Sequence, residues 1–96
     1  MNAPAALRVG VVILTWNRVD DLVGCLESFA CVDYPNYEVV VVDNGSKDAT
    51  VAVTRARFPW VTLIANGENL GYCKGNNVGM RHALMHGADH VMLLGL

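Results

Sequence analysis

The sequence predicts an α/β fold: a parallel four-stranded sheet, in strand order 3-2-1-4, with helices on both faces. Three observations lead there. The runs Val9-Gly10-Val11-Val12-Ile13-Leu14 and Tyr37-Glu38-Val39-Val40-Val41-Val42 are almost continuously apolar and β-branched, as strands covered on both faces are. Segments of helical periodicity alternate with strand-like runs, the pattern of βαβ units and a parallel sheet. Right-handed crossovers between such units then give the order.

Each element has its own signal. Met1 to Leu7 is Ala/Pro-rich and reads as a loose lead-in, which leaves residues 8–96 as the folded portion. After the first strand, Asn17 is placed to cap a helix, with Asp20 in the capping-box position. Leu22, Cys25, Leu26 and Phe29 then recur at i, i+3, i+4 and i+7, one apolar helical stripe. Asp33-Tyr34-Pro35-Asn36 is a turn. The second strand ends in Asp43-Asn44-Gly45-Ser46, and Ser46 is a favoured cap for a second helix with Ala49, Ala52, Val53 and Ala56 on one face. Pro59 stops that helix, and Val61-Thr62-Leu63-Ile64 is a third strand. Asn66 to Asn77 is Gly/Asn-rich and is expected to be a loop. A third helix follows with Met80, Ala83, Leu84 and Gly87 inward, and His90 to Leu94 is the fourth strand.

Composition narrows the function classes. The chain has 96 residues, room for one small domain. Seven basic against nine acidic residues, net charge −2, lack the basic patch of a nucleic-acid binder. An apolar content of 53% with 17% charged residues excludes disorder. That apolar content is high for so small a domain and implies cover from surface outside these residues. Cys25, Cys31 and Cys73 are odd in number and unpaired in spacing, so no disulfide framework and a reduced, cytoplasmic setting are expected. No apolar run reaches the roughly 18 residues of a membrane span, and no small-residue cleavage site follows Val9 to Trp16.

In open parallel sheets ligands bind beyond the carboxyl ends of the strands, at a switch in strand order. Here that switch lies beside the first strand. Thr15, Trp16 and Asn17 follow it; Asp43, Asn44 and Ser46 follow the second; Asn66, Asn69, Gly71 and Gly75 follow the third. Asp43 either accepts hydrogen bonds from a ribose diol or nucleobase N–H, or with Asn44 shapes the turn. The glycines of Asn69-Leu70-Gly71-Tyr72-Cys73-Lys74-Gly75-Asn76-Asn77-Val78-Gly79 fall at every fourth position, unlike the dinucleotide fingerprint or the Walker loop. They either let backbone amides approach a diphosphate, with Lys74 adding charge, or serve a flexible loop with Gly79 closing on the sheet. Trp16 and Tyr72 either stack on a base or pack. His82 and His86 are four apart, but Ala83 stands where the zincin pattern needs Glu, so they read as exposed helical histidines.

Together the blocks Val11-Val12-Ile13-Leu14-Thr15-Trp16-Asn17-Arg18, Val41-Val42-Asp43-Asn44-Gly45-Ser46 and Asn69 through Gly79 resemble the N-terminal, nucleotide-binding portion of a family 2 glycosyltransferase of the rhamnosyltransferase-like branch. The resemblance implies the Rossmann-like half of a GT-A fold and inverting transfer of a sugar from a UDP- or dTDP-sugar to an acceptor hydroxyl. It implies that Thr15 and Asp43 contact the uracil or thymine ring. Asn17 and Asn44 would shape that pocket, and Asn69, Gly71 and Asn77 would lie along the ribose and diphosphate; Lys74 has no assigned family role. Relatives use a divalent cation, Mg²⁺ or Mn²⁺, to neutralise the leaving diphosphate, and an acidic general base.

The family's Asp-x-Asp-like metal motif follows the fourth strand, where this chain runs from Val91-Met92-Leu93-Leu94 into Gly95-Leu96. The expectation is therefore a truncated form that lacks the metal and base residues and does not turn over. Two other classes stay open: a non-catalytic nucleotide-binding or regulatory α/β module, and a flavodoxin- or receiver-like domain. An unpaired edge on the fourth strand predicts self-association. Full-length relatives imply a cytoplasmic protein at the inner face of the membrane.

Overall fold

The computed structural model describes residues 6–96, so residues 1–5 of the expected lead-in lie outside the described residues. Ala6 and Leu7 are not loose: their carbonyls accept hydrogen bonds from Asn36 Nδ2 (3.0 Å) and the Tyr34 hydroxyl. The elements run β1 (Val9–Thr15), α1 (Val19–Ser28), a 3-10 turn (Phe29–Cys31), β2 (Tyr37–Asp43), α2 (Thr50–Arg57), β3 (Thr62–Ala65), α3 (Gly71–Met85) and β4 (His90–Leu94). All strand pairs are parallel and the order is β3-β2-β1-β4, as the sequence predicts.

The valine runs are buried on both faces because alternate residues point to opposite sides of the sheet. Val11, Ile13, Val39 and Val41 meet Leu22 and Leu26 of α1, together with Phe58. Val12, Val40 and Val42 meet Ala83 of α3 on the other face. The register sets Thr15 beside Asp43, and Asp43 beside Ala65. The last residues of three strands therefore end level, and the loops beyond them share one edge.

Helix starts differ from expectation, with a common cause. Asn17 does not cap α1: its φ is +52°, and its Oδ1 accepts from the Lys47 amide at 2.7 Å. Nor does Ser46 cap α2, since its hydroxyl is held by Asp43 and the Asn17 amide. Asp48 serves both helices instead, accepting from the Val19 amide (3.3 Å) and the Thr50 amide (3.0 Å). Moving the start of α2 to Thr50 rotates its inner face. Thr50 and Thr54 are buried, Val53 is half-buried, and Ala49, Ala52 and Ala56 are exposed. The buried Thr54 hydroxyl is satisfied by the Thr50 carbonyl at 2.7 Å.

The expected loop over Asn66–Asn77 is shorter, because α3 already begins at Gly71. The glycine repeat lies on that helix. Gly75 and Gly79 face the sheet, where an added Cβ would sit 2.6 Å from Leu14 Cδ1 and 2.4 Å from Val12 Cγ1 respectively. Leu84 and Gly87, expected inward, are exposed. His82 is half-buried rather than exposed, its Nε2 3.2 Å from Glu38 Oε2, and the His86 ring stacks on it. All three cysteines are free, and burial pushes the half-buried Cys25 thiol up. Among the described residues no helix is long and apolar enough to cross a membrane.

Candidate functional site

A crevice of about 280 Å³ opens at the carboxyl edge of the sheet, above β1 and β4. This is the switch point, since β2 and β4 flank β1 on opposite sides. One wall comes from the end of β1 and the loop after it: Leu14, Thr15, Trp16 and Arg18. The second comes from Asn44 and the start of α3: Asn69, Gly71, Tyr72 and Asn76. The third is Leu93 to Leu96.

Thr15 ends a buried strand and is 2% exposed, and its hydroxyl has no hydrogen-bond partner among the described residues. A buried hydroxyl in that state costs about 1–3 kcal/mol. Trp16 next to it is 51% exposed, so its indole offers a flat apolar surface at the mouth of the crevice. Tyr72 faces the same space from α3.

Asp43 shapes the turn after β2. It is 2% exposed, its Oδ1 accepts from the Ser46 hydroxyl at 2.5 Å, and its Oδ2 accepts from the Ser46 amide at 2.9 Å. Through Ser46 Oγ, which accepts from the Asn17 amide at 2.8 Å, this turn is tied to the loop after β1. Asn17 thus braces the crevice from outside and does not line it.

Asn44 is buried and links the strand edge to the segment before α3. Its Oδ1 accepts from Asn66 Nδ2 and the Leu70 amide, and its Nδ2 donates to Asn69 Oδ1 and the Gly71 carbonyl. The sequence thus brings Thr15, Trp16, Asn44, Asn69 and Gly71 into one crevice. Lys74 and Asn77 are placed elsewhere, in a separate depression on the outer side of α3 with Arg81. Their displacement comes from the helix: once α3 starts at Gly71, residues 74 and 77 turn away from the sheet. Asn76 was the missed member. It is buried and lines the crevice, one helical turn after Tyr72, a spacing visible only when the segment is taken as helix. Arg18 lines the crevice too, its guanidinium 3.2 Å from Asp21.

A divalent cation does not fit these residues. The lining offers amides, a hydroxyl, a guanidinium and aromatic rings, whereas Mg²⁺ and Mn²⁺ take carboxylate oxygens. Among the described residues no group of three or more His, Cys, Asp or Glu is arranged to hold a metal.

The sequence pattern of the family described as glycosyl transferase family 2 matches residues 10–85, from β1 through α3. The chain belongs to that family. It is 34% identical over 73 residues to a glycosyltransferase of Haemophilus influenzae, covering 76% of this chain and 24% of the relative. It is 36% identical over 87 residues to a galactofuranosyltransferase of Mycobacterium tuberculosis, covering 88% and 29%. Among solved structures it resembles a mannosyltransferase of Pyrobaculum calidifontis in complex with GDP-Man and Mn²⁺. There the TM-score is 0.72 and the identity 34%, over 79% of this chain and 24% of that one. This family 2 chain thus spans about a quarter of the length of the relatives it matches. Its sheet is the Rossmann-like part of the GT-A fold, with the strand order that the sequence implies.

Proposed function

We propose that this chain forms the donor-binding portion of a glycosyltransferase, with a nucleoside diphosphate sugar in the crevice at the β1 end. The observation that carries the reading is the Thr15 hydroxyl, buried without a partner beside the half-exposed Trp16. A nucleobase satisfies both at once: its ring stacks on the indole and its polar edge pairs with the hydroxyl. Asn69 and Gly71 then lie along the ribose and diphosphate. Asp43 supports the base pocket through the Ser46 turn, and each of its oxygens keeps a lone pair for a base N–H.

The donor in this reading is a UDP- or dTDP-sugar, by resemblance of the Thr15-Trp16-Asn17 and Asp43-Asn44-Gly45-Ser46 blocks to the family pattern. The reaction is inverting: an acceptor hydroxyl attacks the anomeric carbon, the bond to the diphosphate oxygen breaks, and a carboxylate base takes the proton. None of the crevice residues carries a carboxylate side chain, so the crevice itself supplies neither a metal ligand nor this base. A guanosine donor is the second reading, favoured by the GDP-Man complex of the mannosyltransferase neighbour.

Calorimetric titration with UDP, dTDP, GDP and ADP tests both. The expected result is saturable binding of UDP and dTDP above ADP. Trp16→Ala should weaken it by about 5- to 100-fold, the worth of one stacked base. Tighter binding of GDP than UDP selects the second reading. Absence of nucleotide binding, or a Trp16→Ala variant that binds as well as the parent, overturns the proposal.

A further inference from the structure

We infer that Arg18 binds the phosphates: its guanidinium pairs with the phosphate oxygens of the nucleotide whose base stacks on Trp16. The inference rests on the nucleotide-binding reading above. Of the seven lysines and arginines of the chain, Arg18 alone lines the crevice. Every other side chain in that lining is uncharged. Lys74 and Arg81 line a different depression, on the outer side of α3. An anion in the crevice therefore meets one positive charge. Leu14, Trp16 and Leu93 surround it with apolar surface, which weakens the screening by water. The diphosphate is the anionic part of the proposed ligand, and the guanidinium fork matches two phosphate oxygens at once.

The backbone under Arg18 is fixed, while its side chain is held only at the surface. Both chain neighbours are tied to the segment after β2. The Asn17 amide donates to Ser46 Oγ at 2.8 Å, Asn17 Oδ1 accepts from the Lys47 amide at 2.7 Å, and the Val19 amide donates to Asp48 Oδ2 at 3.3 Å. The Arg18 carbonyl accepts from the Leu22 amide at 3.0 Å, which starts α1. Its guanidinium has one partner among the described residues, Asp21, with Nη1 3.2 Å from Oδ2. The two residues are three apart on one helix, and their side chains are 57% and 60% exposed. An exposed pair of that kind is weak. Asp21 and the diphosphate thus compete for one guanidinium, and the diphosphate, with more charge and more oxygens, takes it.

The test compares UDP and uridine, which differ by the diphosphate, on the parent, Arg18→Gln and Asp21→Asn. Calorimetry in a buffer with EDTA keeps added cations off the phosphates. The parent is expected to bind UDP more tightly than uridine. Arg18→Gln should lower UDP affinity about tenfold, the worth of one charge-assisted contact. Asp21→Asn removes the competitor and should leave UDP affinity unchanged or raise it by up to about threefold. Uridine affinity should stay within about twofold of the parent in both variants. Unchanged UDP affinity in Arg18→Gln overturns the inference, as does a parent that binds uridine as tightly as UDP. A parallel fall for both ligands marks a merely structural role and overturns it as well. So does a loss in Asp21→Asn equal to that in Arg18→Gln, because the ion pair and not the guanidinium would then support the site. If the parent binds neither ligand, it is the nucleotide reading that fails.

Discussion

Thr15 holds a hydroxyl that the fold buries and leaves without a partner. Replacing such a group by an apolar one of the same shape is close to neutral for stability. Thr15→Val is therefore expected to keep or slightly raise the urea midpoint while weakening nucleotide binding about 3- to 10-fold, the worth of one hydrogen bond. A valine variant that is destabilised yet binds normally contradicts the role given to this residue. At the opposite end of the sheet, Glu38 is a charged residue with a purely structural task. Burial pushes its carboxyl up, but hydrogen bonds from Thr62 and His82 and the charges of His82 and Arg8 outweigh that and hold it below the usual glutamate value. Its folded-state pKa is thus lower than its unfolded one. The stability it adds is complete above the unfolded value, about 4.3, and is lost as pH falls through the folded one. Glu38→Gln should lower the urea midpoint at neutral pH, and the difference should shrink below about pH 4. A gap that persists unchanged in acid argues against an ionic origin.

Among the elements, α3 separates what the sequence reveals from what it hides. The valine runs β1 and β2 announce themselves, because strands covered on both faces need apolar β-branched residues at every position. The Leu22–Leu26 stripe of α1 does the same for a helix with one buried face. The segment from Gly71 to Asn77 looks like a loop because its glycines and asparagines are poor helix formers. Tertiary packing overrides that preference: Gly75 and Gly79 let the helix backbone lie against Leu14, Val12 and Val42. The caps were hidden for a related reason, since Asp48 lies 29 residues from the α1 amide it serves. Two glycine-to-alanine changes should therefore have opposite signs. Gly24, exposed on α1, has nothing within 4 Å of a new Cβ, so Gly24→Ala should stabilise by about 0.5–1 kcal/mol through helix propensity. Gly79→Ala should destabilise by about 1–3 kcal/mol, as overpacking does, because its Cβ would meet Val12 and Val42 at 2.4 and 2.8 Å. Denaturant titration of both variants checks the pair; equal effects would mean that α3 does not press on the sheet as described.

For the whole molecule, β4 stands at one end of the sheet with Met92 and Leu93 exposed on its two faces. Among the described residues no strand pairs with its outer edge, and an unpaired, apolar edge is a template for another strand. Light scattering of the 96-residue chain is expected to show concentration-dependent association, reduced by Leu93→Lys, and a monomer at all concentrations would contradict that. The placement of a ligand crevice at the β1–β4 switch point was legible from the strand order alone. Its membership was legible only in part, because Asn76, Lys74 and Asn77 depend on where α3 begins. Everything proposed for the crevice depends on a nucleotide binding there through Thr15 and Trp16. The chain has two tryptophans, Trp16 in the crevice and Trp60 in an aromatic groove lined by Phe29, Tyr37 and Phe58. A ¹H–¹⁵N titration with UDP, dTDP and GDP that records the two indole signals tests that binding directly. The Trp16 signal is predicted to move saturably with at least one nucleotide while that of Trp60 stays still. Movement of Trp60 alone, or of neither with any nucleotide, would contradict a nucleotide site at Trp16.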